Sequence, residues 1–572
     1  MPTRVLIVAG AAALVAALAV YALSPVRGLP SGAPTETEMA GAIGSQIMSH
    51  LYLGHVPGRS GEVMMVPKPH TYLTNDLDLT ALGTGAPPLN SSHPNPWAYT
   101  ARIPLIFYGP PWVPEGLAVS ADADAADVAP TYARLVGMDD FVAAGEPLED
   151  IAPKEDRPKV VFTVVIDGGG WNVLQEHSES WPFLRRLIER GTSYTNATIG
   201  SAPSITGAIH ATFGTGFYPI DHGIPGNQLR GPKGPTDAWE LNANPIYLEK
   251  PTVSELWDEA SGNEAVVATL AYEGWHLGMI GHGAARPGGD HDVAVLWEEE
   301  DNAWHINEEF FELPSYLETT DIELLESYEE KLDGRDGVHD GTWFGETLEE
   351  LQVNTVRPGT SAFVRFNGDA VVEMMRKEKI GADSVTDFFW VETKMPDYAG
   401  HRWNMLAPEI GDVVAEVDHQ IARFKKELDR LAGKGNYVLA ISADHGQEPL
   451  PEHFGGWRVD AQELSRDVEE RFGVGVVEKV TTVDFFMDMD RVQEEGIALE
   501  DVARYLGTYT IGDNVPDDAP GADRIPAARV DDELFAGAFS TEYLQSLSPE
   551  DISSFGESDY PEGDLIIEPG GR

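Results

Sequence analysis

The chain has 572 residues, more than one hydrophobic core comfortably serves, so one large domain with appendages is expected. Its 39 basic and 94 acidic residues give a net charge of −55, which repels nucleic acid and anionic lipid and excludes a protein that tracks phosphate backbones. It contains no cysteine, so disulfides, zinc–thiolate centres and cysteine nucleophiles are excluded.

Taken in chain order, MPTR is followed by Val5–Leu23, an uncharged and mostly apolar run long enough to span a bilayer. Residues 1–28 are read as a signal anchor. Arg4 stays inside and the rest of a single-pass cell-membrane protein is extracytoplasmic. A cleaved export signal, giving a secreted protein, is the alternative. Residues 29–56, with Pro, Gly, Ser and Ala prominent, read as a linker. Short strands are expected at Gly61–Pro67 and Ile103–Tyr108, and a capped helix at Asp127–Gly137.

From Pro158 the character changes. KVVFTVVID is a continuous apolar run ending in Asp167 and three glycines, as a buried parallel strand does at its functional edge. Further strands are expected at Glu264–Leu270, Asp387–Glu392 and Tyr437–Ser442, with helices between them, notably Trp181–Gly191 and Glu409–Leu431. This alternation predicts an α/β fold over 158–512, a central mostly parallel sheet flanked by helices, with ligands at the carboxyl ends of its strands. Residues 513–572 read as a loosely ordered acidic tail.

Three groups of residues carry chemistry. Asp397 and His401 are four apart, so both can face one ion; Asp444 and His445 are adjacent where a strand opens into a loop; Asp167 ends another strand. Mixed Asp/His ligation suits zinc, and two ions about 4 Å apart can hold the attacking and leaving oxygens of a phosphoryl transfer. SAPSITGAIH, leading into a helix, offers Ser204 and Thr206 as hydroxyl nucleophiles at a position that favours phosphate.

The ordered series IDGGG, PSIT, GTGFYPIDHGIPGN, PDYAGH and SADHG resembles the type I phosphodiesterase/nucleotide pyrophosphatase branch of the alkaline phosphatase superfamily over about 158–450. The resemblance implies an alkaline-phosphatase-like fold and hydrolysis of a small phosphate ester. It selects Thr206 as nucleophile, because Pro203 stands three residues before it and Asn227 closes HGIPGN downstream. It implies two zinc ions, although other divalent ions are possible. One would be held by Asp167, Thr206, Asp444 and His445, the other by Asp397, His401 and a distant third histidine, with Asn227 donating to phosphoryl oxygens.

That third histidine normally lies near the C-terminus, where only His453 is available. Residues 57–157, with SSHPNPWAYTARIPLIFYGP and DVAPTYARLVG, resemble the usual C-terminal part of secreted members. The chain is therefore read as circularly permuted, with His93 as the missing ligand and His453 as the fallback. The family's F-P-N-H after the threonine is here Gly207-Ala208-Ile209-His210. The Lys-x-Arg pair of the phosphomonoesterases is absent from the corresponding region, where Arg286 is the nearest cation and a candidate substrate contact. Diester hydrolysis is expected. An alkaline phosphomonoesterase is one alternative, and a catalytically inactive surface-binding protein on the same scaffold is another.

Overall fold

The computed structural model describes residues 29–74, 91–239, 243–283, 289–516 and 519–560. Its centre is a ten-stranded sheet. In chain order the strands are β2 (Leu105–Tyr108), β3 (Leu117–Asp124), β4 (Val160–Ile166), β5 (Thr192–Thr198), β6 (Val267–Leu270), β7 (Asp292–Glu298), β8 (Ala303–His305), β9 (Phe311–Glu312), β10 (Asp387–Thr393) and β11 (Tyr437–Ser442). Their spatial order is β8-β7-β6-β10-β4-β11-β2-β5-β3, with β9 beside β7. All are parallel except β2, which runs against β11 and β5, and β8, which runs against β7.

The middle of the sheet is buried on both faces, which is why its strands are apolar without alternation. Along β4, Val160, Phe162, Val164 and Ile166 enter one core and Val161 and Val165 the other. Helices α4 (Ser361–Lys377) and α6 (Pro408–Leu428) cover the first face through Phe363, Met374, Val413 and Phe424. Helix α2 (Val128–Val136) covers the second through Tyr132 and Leu135.

A second, four-stranded sheet holds β1 (Val63–Pro67), β12 (Val477–Val480), β13 (Asp484–Met487) and β14 (Phe535–Ser540) in the order β12-β13-β1-β14. Two sequence expectations fail here. Within the expected linker, Glu36–Gly54 forms helix α1. Thr35 and Glu38 make a reciprocal capping box, and Met39, Ile43, Ile47 and Leu51 recur at helical spacing and are buried. The small residues between them hid that stripe. Within the expected tail, β14 lies against β1, with every residue buried. The acidity of its surroundings masked one six-residue apolar run. No helix among the described residues is long and apolar enough to cross a membrane, and the expected anchor, residues 1–28, lies outside them.

Candidate active site

β10, β4 and β11 are neighbours in the sheet, and each delivers ligating side chains where it ends. Asp167 follows β4, Asp444 and His445 follow β11, and Asp397 and His401 lie on α5 (Met395–Trp403), which begins just past β10. Gly168 allows the close approach of two of these segments. Its φ is +68°, and a Cβ there would lie 2.9 Å from Asp397 Cα.

The structure brings His93 into the same centre. Its Nε2 is 3.6 Å from Asp397 Oδ1, and His401 Nε2 is 3.2 Å from Asp397 Oδ2. His445 Nε2 is 3.4 Å from Asp167 Oδ1 and 3.2 Å from Asp444 Oδ2. Each of the three imidazoles donates Nδ1–H to a main-chain carbonyl, His93 to Ser204 at 2.7 Å, His401 to Ser91 at 2.8 Å and His445 to Gly446 at 2.9 Å. That orients each ring and turns every Nε2 toward a carboxylate, with Nε2 carrying a lone pair where burial keeps the ring neutral, as in His93 and His445. His453, by contrast, is exposed on the short helix Pro451–Phe454.

Lone pairs facing carboxylates repel unless a cation lies between them. The buried atoms Asp167 Oδ1, Asp397 Oδ1, Asp444 Oδ2, His445 Nε2 and Thr206 Oγ1 have no hydrogen-bond partner. Orphaned polar atoms converging in a buried site are what a metal ion satisfies, and the donor set of carboxylate, imidazole and hydroxyl fits zinc. Two of the ligand groupings with metal-compatible spacing are His93–Asp397–His445 and Asp167–Asp444–His445. Burial and then the nearby Asp167 push the Asp444 carboxyl well above its usual range, the crowding of negative charge that a divalent ion reverses.

Thr206 opens helix α3 (Thr206–Thr215), buried throughout, at the end of the loop that follows β5. Asn227 Oδ1 accepts the Gly207 backbone N–H at 2.9 Å, so its amide faces the first turn of that helix. Ser204 is turned away, its hydroxyl donating to Asn95 O. Arg286 lies outside the described residues.

Sequence reasoning missed five neighbours, Lys394, Glu273, His276, Glu392 and His210. Lys394 Nζ is 2.7 Å from Asp397 Oδ2 and 3.1 Å from Asp167 Oδ2. Burial works against its charge, but Asp167, Asp397 and Glu273 hold its ammonium pKa well above the ordinary value. His276 Nε2 is 3.1 Å from Asp167 Oδ2 and 3.6 Å from Glu392 Oε1. His210 Nδ1 is 3.7 Å from Asp444 Oδ2. The available signal was charge at the end of an otherwise apolar strand, where DFFWVETK closes on Glu392 and Lys394.

A family model described as type I phosphodiesterase / nucleotide pyrophosphatase matches residues 161–476, more than half of the chain. The chain belongs to that family. The proteins it resembles include two bacterial alkaline phosphatases. Alkaline phosphatase PafA of Elizabethkingia meningoseptica is 22% identical over 402 residues, covering 62% of this chain and 73% of that protein. Alkaline phosphatase PhoV of Synechococcus elongatus is 23% identical over 337 residues, covering 52% and 60%. A crystal structure of wild-type PafA shares the fold, with a TM-score of 0.51 at 18% identity over 62% of this chain and 76% of that one. As a member of the type I phosphodiesterase/nucleotide pyrophosphatase family, the chain is a metal-dependent hydrolase of phosphoric esters. The family match begins at Val161, so His93 and strands β2 and β3 lie outside it while forming part of the same centre and sheet.

Proposed function

We propose that the chain is a two-zinc phosphodiesterase that cleaves small phosphate diesters through a phospho-threonine intermediate. The observation that carries this reading is the buried Thr206 hydroxyl, unpartnered at a helix N-terminus whose backbone is tied to the ligands: the Ser204 carbonyl accepts from His93, and the Thr206 carbonyl accepts from His210, 3.7 Å from Asp444. Asp167, Thr206, Asp444 and His445 would hold one zinc, and Asp397, His401 and His93 the other. When bound, the ions acidify the threonine hydroxyl and carry charge on the departing oxygen.

Thr206 Oγ attacks phosphorus, the ester oxygen departs, and the proton lost from the hydroxyl passes to solvent. Water then cleaves the Thr206–phosphorus bond, restoring the hydroxyl and releasing a phosphomonoester. The Asn227 amide and the first-turn amides of α3 other than Gly207 N–H, which Asn227 engages, stabilise the equatorial oxygens as charge builds on them. The preference for a diester is supported by the scarcity of cations. Among the described residues Lys394 is the only lysine or arginine paired with the ligating carboxylates, and it already serves two of them. A monoester brings about one more negative charge than a diester and would meet no further cation among the described residues there.

The N-terminal segment suggests residence at the cell membrane with the hydrolase extracytoplasmic. His93 arriving from before the family-matched region supports circular permutation. The test of the reaction is the full-length protein with bis-nitrophenyl phosphate and nitrophenyl phosphate. The diester is expected to be the better substrate by kcat/KM, with Thr206→Ala keeping below about 1% of that activity. Substantial turnover by Thr206→Ala removes the nucleophile assignment, and a monoester preference favours the phosphomonoesterase.

A further inference from the structure

We infer that Lys394 is a built-in monovalent cation of the centre, a positioning residue that ties one carboxylate of each metal-binding group to the other. The inference rests on the two-metal reading above. Asp167 belongs with Asp444 and His445, Asp397 belongs with His93 and His401, and Lys394 Nζ contacts both aspartates from the turn between β10 and α5. The side chain is 7% exposed, so the ammonium has given up most of its water and depends on these oxygens.

Geometry explains why a lysine belongs here. Lys394 Nζ lies 3.1 Å from Asp167 Oδ2 and 2.7 Å from Asp397 Oδ2, so one buried ammonium offsets the repulsion between these two carboxylates. Unlike the ions, the lysine cannot dissociate. In the metal-free protein it holds Asp167, just past β4, beside Asp397 on α5, so the ligands are arranged before metal arrives. With metal bound, it sets the separation of the two groups and hence of the two sites. It does this through Asp167 and Asp397, without touching substrate.

The test compares full-length parent, Lys394→Met and Lys394→Arg, each metal-free and with saturating zinc. Methionine keeps the stem and removes the charge; arginine keeps the charge. The metal-free Lys394→Met protein is expected to melt at least about 5 °C below the metal-free parent. Zinc should shrink that deficit to less than half, and Lys394→Arg should recover most of it. The variant should lose diesterase and monoesterase activity by the same factor, roughly 10- to 100-fold, as displaced ligands do.

An equal deficit with and without zinc means the side chain only packs, and overturns the inference, as does no deficit in either state. Selective loss of monoesterase activity means that Lys394 contacts the phosphoryl group and also overturns it. Should Lys394→Met not fold without metal, zinc present during refolding is expected to rescue it. If it folds in neither condition and Lys394→Arg fails as well, the inference falls. The melting comparison does not depend on which ester is the substrate, so a wrong substrate assignment leaves it intact. A parent that takes up no zinc instead removes the proposed function.

Discussion

The imidazole of His93 lies flat on that of His445, with ring centroids 3.6 Å apart and planes 4° apart. The two rings direct their Nε2 atoms at different carboxylates, Asp397 and the Asp167–Asp444 pair. Burial holds both imidazoles below their ordinary pKa, which keeps them neutral and able to ligate. His93→Ala is therefore expected to carry about one zinc per chain where the parent carries about two, and to lose at least roughly 100-fold in activity. Elemental analysis alongside turnover checks this. His453→Ala, on an exposed helix, should match the parent in both.

Asn227 spends its carbonyl oxygen on the Gly207 N–H, leaving its amide as the donor toward the start of α3. Loss of one such donor costs on the order of 10²- to 10³-fold in kcat in comparable sites. Asn227→Ala is expected to fall within that range while keeping the zinc content of the parent. Metal loss in this variant would show that Asn227 supports the ligands and not the phosphoryl oxygens.

Away from the centre, Asp484 at the start of β13 is buried next to Glu62, and burial with that neighbouring charge pushes its carboxyl up to about 7. A carboxyl raised in the folded state holds its proton more tightly there than in the unfolded chain. Its contribution is therefore favourable below the unfolded pKa near 4, is lost as pH rises toward about 7, and stays lost above. Asp484→Asn should match the parent at about pH 3 and exceed it at about pH 8, by at most about 4 kcal/mol. Urea unfolding of both proteins in metal-free form at the two pH values measures the difference. A variant no more stable at pH 8 would show that Asp484 is charged in the fold without penalty.

The parts of the molecule legible in the sequence are those in which one short segment carries its own signal. Val160–Ile166 and Tyr437–Ser442 are buried on both faces and so appear as unbroken apolar runs. Asp167, Asp397, His401, Asp444 and His445 stand at or just beyond such runs, where ligands collect in parallel sheets. Lys394 carried no comparable signal. A single lysine reads as solvated surface, and its partner Asp167 is 227 residues away. Helix α1 and strand β14 were obscured for another reason. Average composition over twenty or more residues dilutes a buried stripe or a six-residue strand whose partners are distant.

Strand β2 has a consequence for how the chain is made. It lies between β5 and β11, and Ser442 at the end of β11 donates its hydroxyl to Pro104, 338 residues earlier. During synthesis the apolar LIFY segment therefore emerges long before the strand that covers one of its edges. At ordinary elongation rates the wait is roughly twenty seconds to a minute. Contacts of such sequence separation also slow folding. Throughout that interval β2 has an open edge able to pair with other chains, a liability that ends only when β11 is complete.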